Sequence, residues 1–283
     1  MAYVINGKQI AQEIKDKLKD EVANLKEYGK IGSLAVIQVG NNKASDTYVR
    51  NKRNACKYIG IEFLYYQLDE KSTSEKDLLL LIDILNNDDS VKGILVQLPL
   101  PDHINEDIII NHIDPKKDID CFHPQNVGAL TIGKYDNFLP CTPAGILYLL
   151  KQYNIKMEGK NCVIVGRSNI VGKPLALLML RENATVTITH SKTKNLKNIC
   201  RSADILIVAI GKQEYITADY IKPGAVVIDV GIHVDSTTNK LCGDVKFDEV
   251  EPKASYITPV PGGIGPMTVA MLMCNCVKSI SNS

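Results

Sequence analysis

Apolar residues recur at steps of three and four over residues 8–28, where Ile10, Ile14, Leu18, Val22 and Leu25 share one face. That period predicts an amphipathic helix. An unbroken apolar run, SLAVIQV (33–39), predicts a buried strand, and a second helical pattern covers 44–59, with Ser45 or Asp46 as its cap. Strand IEFLYYQL (61–68), helix 74–86 and strand GILVQL (93–98) continue the alternation. Strands alternating with helices predict a parallel sheet covered by helices. Residues 99–140 are rich in Pro, Asp, Asn and Gly and read as loops with short helical pieces.

A second alternation begins with a helix at 143–153. Strand 161–166, helix 171–183 and strands 185–190, 203–211 and 225–232 follow. A last helix, about 267–280, is apolar on nearly all sides and so belongs inside the fold. The chain therefore reads as two α/β units joined near 120–145, without repeats or low-complexity stretches.

Composition narrows the function classes. The 283 residues are 45% hydrophobic and 23% charged, enough apolar material for a core without metal or disulfide staples. Lys and Arg number 33 against 32 Asp and Glu, for a formal charge of +1. A near-neutral chain argues against nucleic-acid or membrane-surface partners. Eight cysteines include no C-x-x-C pair, and they read as reduced and buried. The N-terminus acquires Glu13, Asp16 and Asp20 early and lacks a signal-peptide run, and no apolar stretch reads as a membrane span. The expected location is the cytoplasm.

In the second unit, CVIVGRSNIVGKP runs from strand into helix. Gly166 and Gly172 have five residues between them, which departs from G-x-G-x-x-G, so spacing alone also suits a βα turn with no ligand. Arg167 and Ser168 sit on that turn, where backbone N–H groups and a helix N-terminus meet a pyrophosphate in doubly wound sheets. The next strand ends THSKT, with Ser191, Lys192 and Thr193 where an NAD enzyme carries an acidic residue. Hydroxyls and a cation suit a 2′-phosphate, hence NADP.

In the first unit, a helix turning about 100° per residue puts Lys52 among Val49, Cys56 and Ile59, in the apolar stripe, with Tyr48 one turn earlier. A lysine there either snorkels beside a core tyrosine or serves a pocket, where desolvation lowers its pKa and frees a neutral amine as base. Gln97 ends a strand, where parallel sheets collect ligands. The loop DPKKDIDCFHPQNVG groups Asp114, Asp118, Asp120, His123 and Asn126; most of them read as a solvated acidic loop, and a single His is thin ground for a metal. Gly262, Gly263 and Gly265 in TPVPGGIGPMT suit a close approach to a flat ligand or a sharp connection into the last helix.

Six ordered segments, YVRNK, VQLPLP, PKKDID, PCTPAG, GRSNIVGKP and TPVPGGIGPMT, resemble the methylenetetrahydrofolate dehydrogenase/cyclohydrolase family over essentially the whole chain. The resemblance implies two α/β domains flanking a cleft. A folate-binding catalytic domain covers 1–140, joined by the last helix at 267–283, and a Rossmann-like doubly wound parallel sheet at 141–266 binds NADP. It implies catalytic roles for Lys52, Tyr48, Gln97 and Asp120: Lys52 as acid/base, Tyr48 stacking on the folate, Gln97 tuning the lysine and Asp120 anchoring the pterin. It places NADP at Gly166, Arg167, Ser168, Ser191 and Ile232, and substrate also at Pro261, Gly262 and Gly263, with no metal. The implied reaction is oxidation of 5,10-methylenetetrahydrofolate by NADP⁺, then hydrolysis of the methenyl product to 10-formyltetrahydrofolate. The family is usually a homodimer, and a chain of this length looks like the form without an appended ligase domain.

Two points qualify the match. Tyr48-x-x-x-Lys52 also has the spacing of the short-chain dehydrogenase pair, but there the pair follows the nucleotide-binding glycines and here it precedes them. The family's Asp-Gly is Asp120-Cys121 here. A positive φ at Cys121 would cost about 1–2 kcal/mol and shift Asp120, whereas a negative φ would tolerate the thiol. The reading favours tolerance, with Cys121 lining or bordering the folate pocket.

Overall fold

The computed structural model describes residues 1–134 and 138–282. Its elements in chain order are β1 (Tyr3–Val4), α1 (Gly7–Glu27), β2 (Ser33–Val39), α2 (Lys43–Ile59), β3 (Glu62–Leu68), α3 (Glu75–Asn87) and β4 (Val91–Val96). Then come α4 (Glu106–His112), α5 (Pro124–Thr131), α6 (Cys141–Gln152), β5 (Asn161–Val165), α7 (Gly172–Arg181), β6 (Thr185–Thr189), α8 (Leu196–Arg201) and β7 (Ile205–Val208). A 3-10 turn at Ala218–Tyr220 leads to β8 (Val226–Asp229), β9 (His233–Val234), β10 (Leu241–Cys242), α9 (Phe247–Val250), β11 (Tyr256–Ile257) and α10 (Ile264–Ser281).

The chain divides into two compact units. One comprises residues 12–139 and 269–283 and holds a three-stranded parallel sheet in the order β3-β2-β4. Every residue of β2 is buried because the strand is central and covered on both faces, which is why SLAVIQV carries no alternation. Leu78, Ile82 and Leu85 of α3 pack into the core with Ala35, Ile37, Ile94 and Val96. A reciprocal box starts α3: Ser74 Oγ accepts from Asp77 N at 3.2 Å and the Asp77 carboxylate accepts from Ser74 N at 2.9 Å. At α2 the expected caps are corrected. The helix already begins at Lys43, and the Asn42 side chain accepts from Ser45 N at 3.3 Å.

The other unit comprises residues 1–11 and 140–268. Its six strands run parallel in the order β1-β11-β8-β7-β5-β6. The chain passes from β5 outward to β6, then returns to the far side of β5 with β7. That reversal is the topological switch point of a doubly wound sheet. The sequence reading grouped residues 1–140 together, but β1 pairs with β11 at the sheet edge, and Tyr3 packs against Tyr153 and Tyr256 with ring centroids 5.6 and 5.7 Å apart. Strands β7 and β8 are shorter than their apolar runs suggest. The chain leaves β8 at Asp229, whose carboxylate gathers nearby backbone N–H groups. Helix α10 is long and apolar enough by composition to cross a membrane, yet 61% of that window is buried inside the protein.

Candidate active site

The first constellation lies in the three-stranded unit. Lys52 is 9% exposed, in the apolar stripe of α2 between buried Val49 and Cys56. Its Nζ donates to Gln97 Oε1 at 3.0 Å. Gln97 stands one residue past β4; its backbone N–H donates to Ile37 O, and its Nε2 donates to Leu98 O at 2.9 Å. That second bond fixes which end of the amide faces the lysine. Tyr48, one turn before Lys52, is half-buried, and burial pushes its phenol up. Burial likewise pushes the Cys56 thiol up to about 12, against the opposing pull of the Lys52 ammonium. Burial also drives the Cys276 thiol of α10 well above its ordinary value.

Asp120 sits on a loop held from several sides. Ile94 N donates to Lys117 O at 2.8 Å, docking the loop beside β4. Asp118 is buried, contrary to the solvated reading, and its carboxylate accepts from Phe122 N, His123 N and Asn126 Nδ2. His123 Nδ1 accepts from Gln125 N at 3.0 Å and so caps α5. Asn275, on α10, donates from Nδ2 to Ile119 O at 2.7 Å and to Leu139 O at 2.9 Å. Sequence reasoning missed this buried amide, although a lone Asn in an apolar helix was its signal.

Cys121 overturns the favoured reading of that position. Its φ is +63°, a left-handed conformation that suits glycine. The loop accepts the strain because the side chain is wholly buried and its Sγ donates to Phe138 O at 3.2 Å. The thiol therefore does not open onto a pocket. Burial first, then the Asp118 and Asp120 charges, raise it well above an ordinary cysteine.

The second constellation lies in the six-stranded unit, at the carboxyl ends of β5 and β6. Gly166 has φ +131°, and a Cβ there would stand 2.2 Å from Ala209 O. A Cβ on Gly172 would stand 2.3 Å from Gly166 O. Both glycines are therefore required by close backbone contact. Arg167 and Ser168 are exposed on the turn, and Ser168 Oγ accepts from Val171 N and Gly172 N, closing the start of α7. After β6 the loop folds on itself: Thr193 Oγ1 accepts from His190 N, and His190 Nδ1 accepts from Lys192 N. Ser191 and Lys192 project to solvent. Ile232 is 42% exposed, and a Cβ on Gly265 would touch its Cδ1 at 3.3 Å. Pro261 is exposed, Gly262 has φ +103° and its carbonyl accepts from Lys8 N, and Gly263 O leaves no room for a Cβ on Gly7.

A doubly wound sheet with a glycine turn at its switch point, and a buried lysine–amide pair at a strand end, are the parts of a two-domain α/β enzyme using a dinucleotide. The chain belongs to the tetrahydrofolate dehydrogenase/cyclohydrolase family: the family's catalytic domain matches residues 5–120 and its NAD(P)-binding domain residues 140–283. It is 65% identical over 280 residues to the bifunctional protein FolD of Agathobacter rectalis, covering 99% of each chain. Among solved structures it is similar to the FolD methylenetetrahydrofolate dehydrogenase/cyclohydrolase of Campylobacter jejuni, at 51% identity, TM-score 0.97 and 100% and 99% coverage. The Trypanosoma brucei enzyme, solved with NADP cofactor and an inhibitor, is 38% identical, with TM-score 0.94 and 99% and 98% coverage.

Proposed function

We propose that this chain oxidises 5,10-methylenetetrahydrofolate to the 5,10-methenyl cation with NADP⁺ and hydrolyses that cation to 10-formyltetrahydrofolate. The observation that carries this reading is the buried Lys52 amine held 3.0 Å from Gln97 Oε1, in a chain matched by the family along both units. In this reading the three-stranded unit takes the folate and the six-stranded unit takes NADP.

The nucleotide-binding residues fit such a ligand. The turn at Gly166 leaves no projecting side chain, and no carboxylate occupies residues 190–193 to repel a 2′-phosphate. Gly166, Arg167 and Ser168 would hold the pyrophosphate, Ser191 and Lys192 the ribose phosphate, and Ile232 the flat ring. When bound, NADP⁺ accepts the hydride that leaves the methylene carbon. The protein's share of that step is positioning. Tyr48 offers its ring to the folate, Asp120 accepts from the pterin, and Pro261, Gly262 and Gly263 let backbone approach the substrate. In the hydrolysis a water adds to the methenyl carbon, one C–N bond then breaks, and one proton is released in total. Lys52 moves the proton between that water and the departing nitrogen, with Gln97 fixing where the amine points.

The proposal extends to a homodimer in the cytoplasm, without nucleic-acid or membrane partners. The cysteines are unpaired thiols, as a reducing compartment maintains them. The near-zero net charge argues against polyanion partners, and β6 is an edge strand of five β-branched residues, a surface suited to cover by a second copy. The deciding experiment follows NADPH and methenyl-folate separately by absorbance, with methylenetetrahydrofolate as substrate. Appearance of both, followed by decay of the methenyl band faster than the buffer alone produces, is the expected result; absence of either enzyme-dependent step defeats the reading. Sedimentation equilibrium decides the dimer.

A further inference from the structure

Two buried carboxylates stand at the carboxyl ends of β7 and β8, and none of the roles assigned above uses them. Asp244 is fully buried. Its Oδ2 accepts from Ile210 N at 2.7 Å and Gly211 N at 3.1 Å, and its Oδ1 accepts from Lys212 N and from His233 Nε2, both at 2.8 Å. Asp229, 3% exposed, accepts from Gly231 N and Asp244 N at 3.0 Å and from Val245 N at 2.9 Å. The construction is tight: a Cβ on Gly231 would lie 2.4 Å from the Asp244 carboxyl, and one on Gly243 would lie 1.9 Å from Asp229 Oδ2. The loop after β7 and the loop after β8 are thereby fastened to one carboxylate.

The orientation of the loop after β7 follows. A trans peptide points its carbonyl opposite to its N–H. Three successive N–H groups aimed at Asp244 leave the carbonyls of Ala209, Ile210 and Gly211 facing away from it. The first of these borders the glycine turn, since Ala209 O is the atom that a Gly166 Cβ would strike. The crevice at the switch point thus has unlike sides. The β5 turn presents Arg167 and N–H groups, which suit phosphate; the β7 loop presents carbonyl acceptors, which repel phosphate and suit an N–H donor.

We propose that Asp244, braced by Asp229 and His233, is a positioning residue that holds the loop after β7 as an acceptor wall for the carboxamide of the nicotinamide ring. The proposal rests on the NADP-dependent activity proposed above and adds to it which end of the dinucleotide meets which loop.

The test compares dissociation constants of NADP⁺ and its 3-acetylpyridine analogue, which keeps the phosphates but replaces the carboxamide NH₂ by methyl. Calorimetric titration of the full-length wild type should favour NADP⁺ on the order of tenfold, the value of one to two good hydrogen bonds. In Asp244→Asn and His233→Ala the ratio should fall toward one, and His233→Gln, which keeps an N–H donor, should recover part of it. Dehydrogenase kcat/KM for NADP⁺ should fall more than cyclohydrolase turnover in the same variants. Should Asp244→Asn fail to fold, His233→Ala decides alone. A wild-type ratio near one, or a ratio unmoved in a folded variant, overturns the proposal while leaving the enzyme reading in place. A wild type that binds no NADP⁺ overturns both.

Discussion

Lys52 owes its chemistry to where a helix leaves it: in the apolar stripe of α2, one turn from Tyr48, with an amide oxygen to hold its amine. Lys52→Met keeps an unbranched side chain in the stripe and removes the proposed proton carrier. Cyclohydrolase turnover should fall about 10²–10⁴-fold while the circular dichroism spectrum and melting point stay near wild type. Asp120→Ala should instead raise the folate KM about tenfold or more, with a smaller change in kcat; equal loss in both would remove Asp120 from substrate binding. Cys121 belongs to a different category. Its thiol should resist modification in the folded protein with or without folate and react only in denaturant, as mass mapping of the labelled cysteine would show. Cys121→Gly relieves the left-handed backbone but deletes a buried side chain, so its stability change should be near zero. Lys52 and Gln97 were legible in the sequence because each sits where a period or a strand end says a polar group does not belong. The sign of φ at Cys121 was not, because it is set by the loop that Asp118, Asn126 and Asn275 hold together across long sequence separations.

At the scale of elements, the start of α7 is the part proposed to meet the cofactor. Ser168 Oγ closes its first turn, so Ser168→Ala should cost about 1 kcal/mol of stability and weaken NADP⁺ binding. Arg167→Ala should weaken NADP⁺ and NAD⁺ alike if its guanidinium holds only the pyrophosphate, and NADP⁺ more if it also reaches the 2′-phosphate; wild-type kcat/KM should favour NADP⁺. A wild-type preference for NAD⁺ would contradict the reading of Ser191 and Lys192. The long helices and the buried strands followed their periodicity closely: β2 has the predicted limits, and α1 differs by one residue at each end. β1 was not legible, because two residues carry no period and become a strand only by pairing with β11. The ends of β7 and β8 were overestimated, because apolar residues continue past the point where Asp229 and Asp244 draw the backbone into loops.

For the molecule as a whole, Asp229 makes stability depend on pH. Burial pushes its carboxyl up to about 7, with the N–H groups of Val245, Asp244 and Gly231 pulling the other way. From the ordinary carboxylate range up to about 7, the folded protein keeps a proton that the unfolded chain has released. Stability from this group is present in acid and is lost as pH rises through that window, at up to about 1.4 kcal/mol per pH unit. Asp229→Asn does not titrate, so the wild type should lose stability relative to the variant between pH 5 and 8 in urea titrations. A constant difference would mean that Asp229 is already ionised in the folded protein at pH 5.

The division of the chain also governs the order in which it can be made. The six-stranded unit needs residues 1–11 together with 140–268, and the three-stranded unit needs residues 12–139 together with the turns of α10 beyond 268. Neither core is complete while the ribosome is still short of α10, so folding during synthesis cannot proceed one finished domain at a time. The nascent chain carries two open cores, and the last segment to emerge closes both. A chain stalled at Gly263 should bind chaperones and be cut readily by protease in both units, whereas one released after Ser281 should resist.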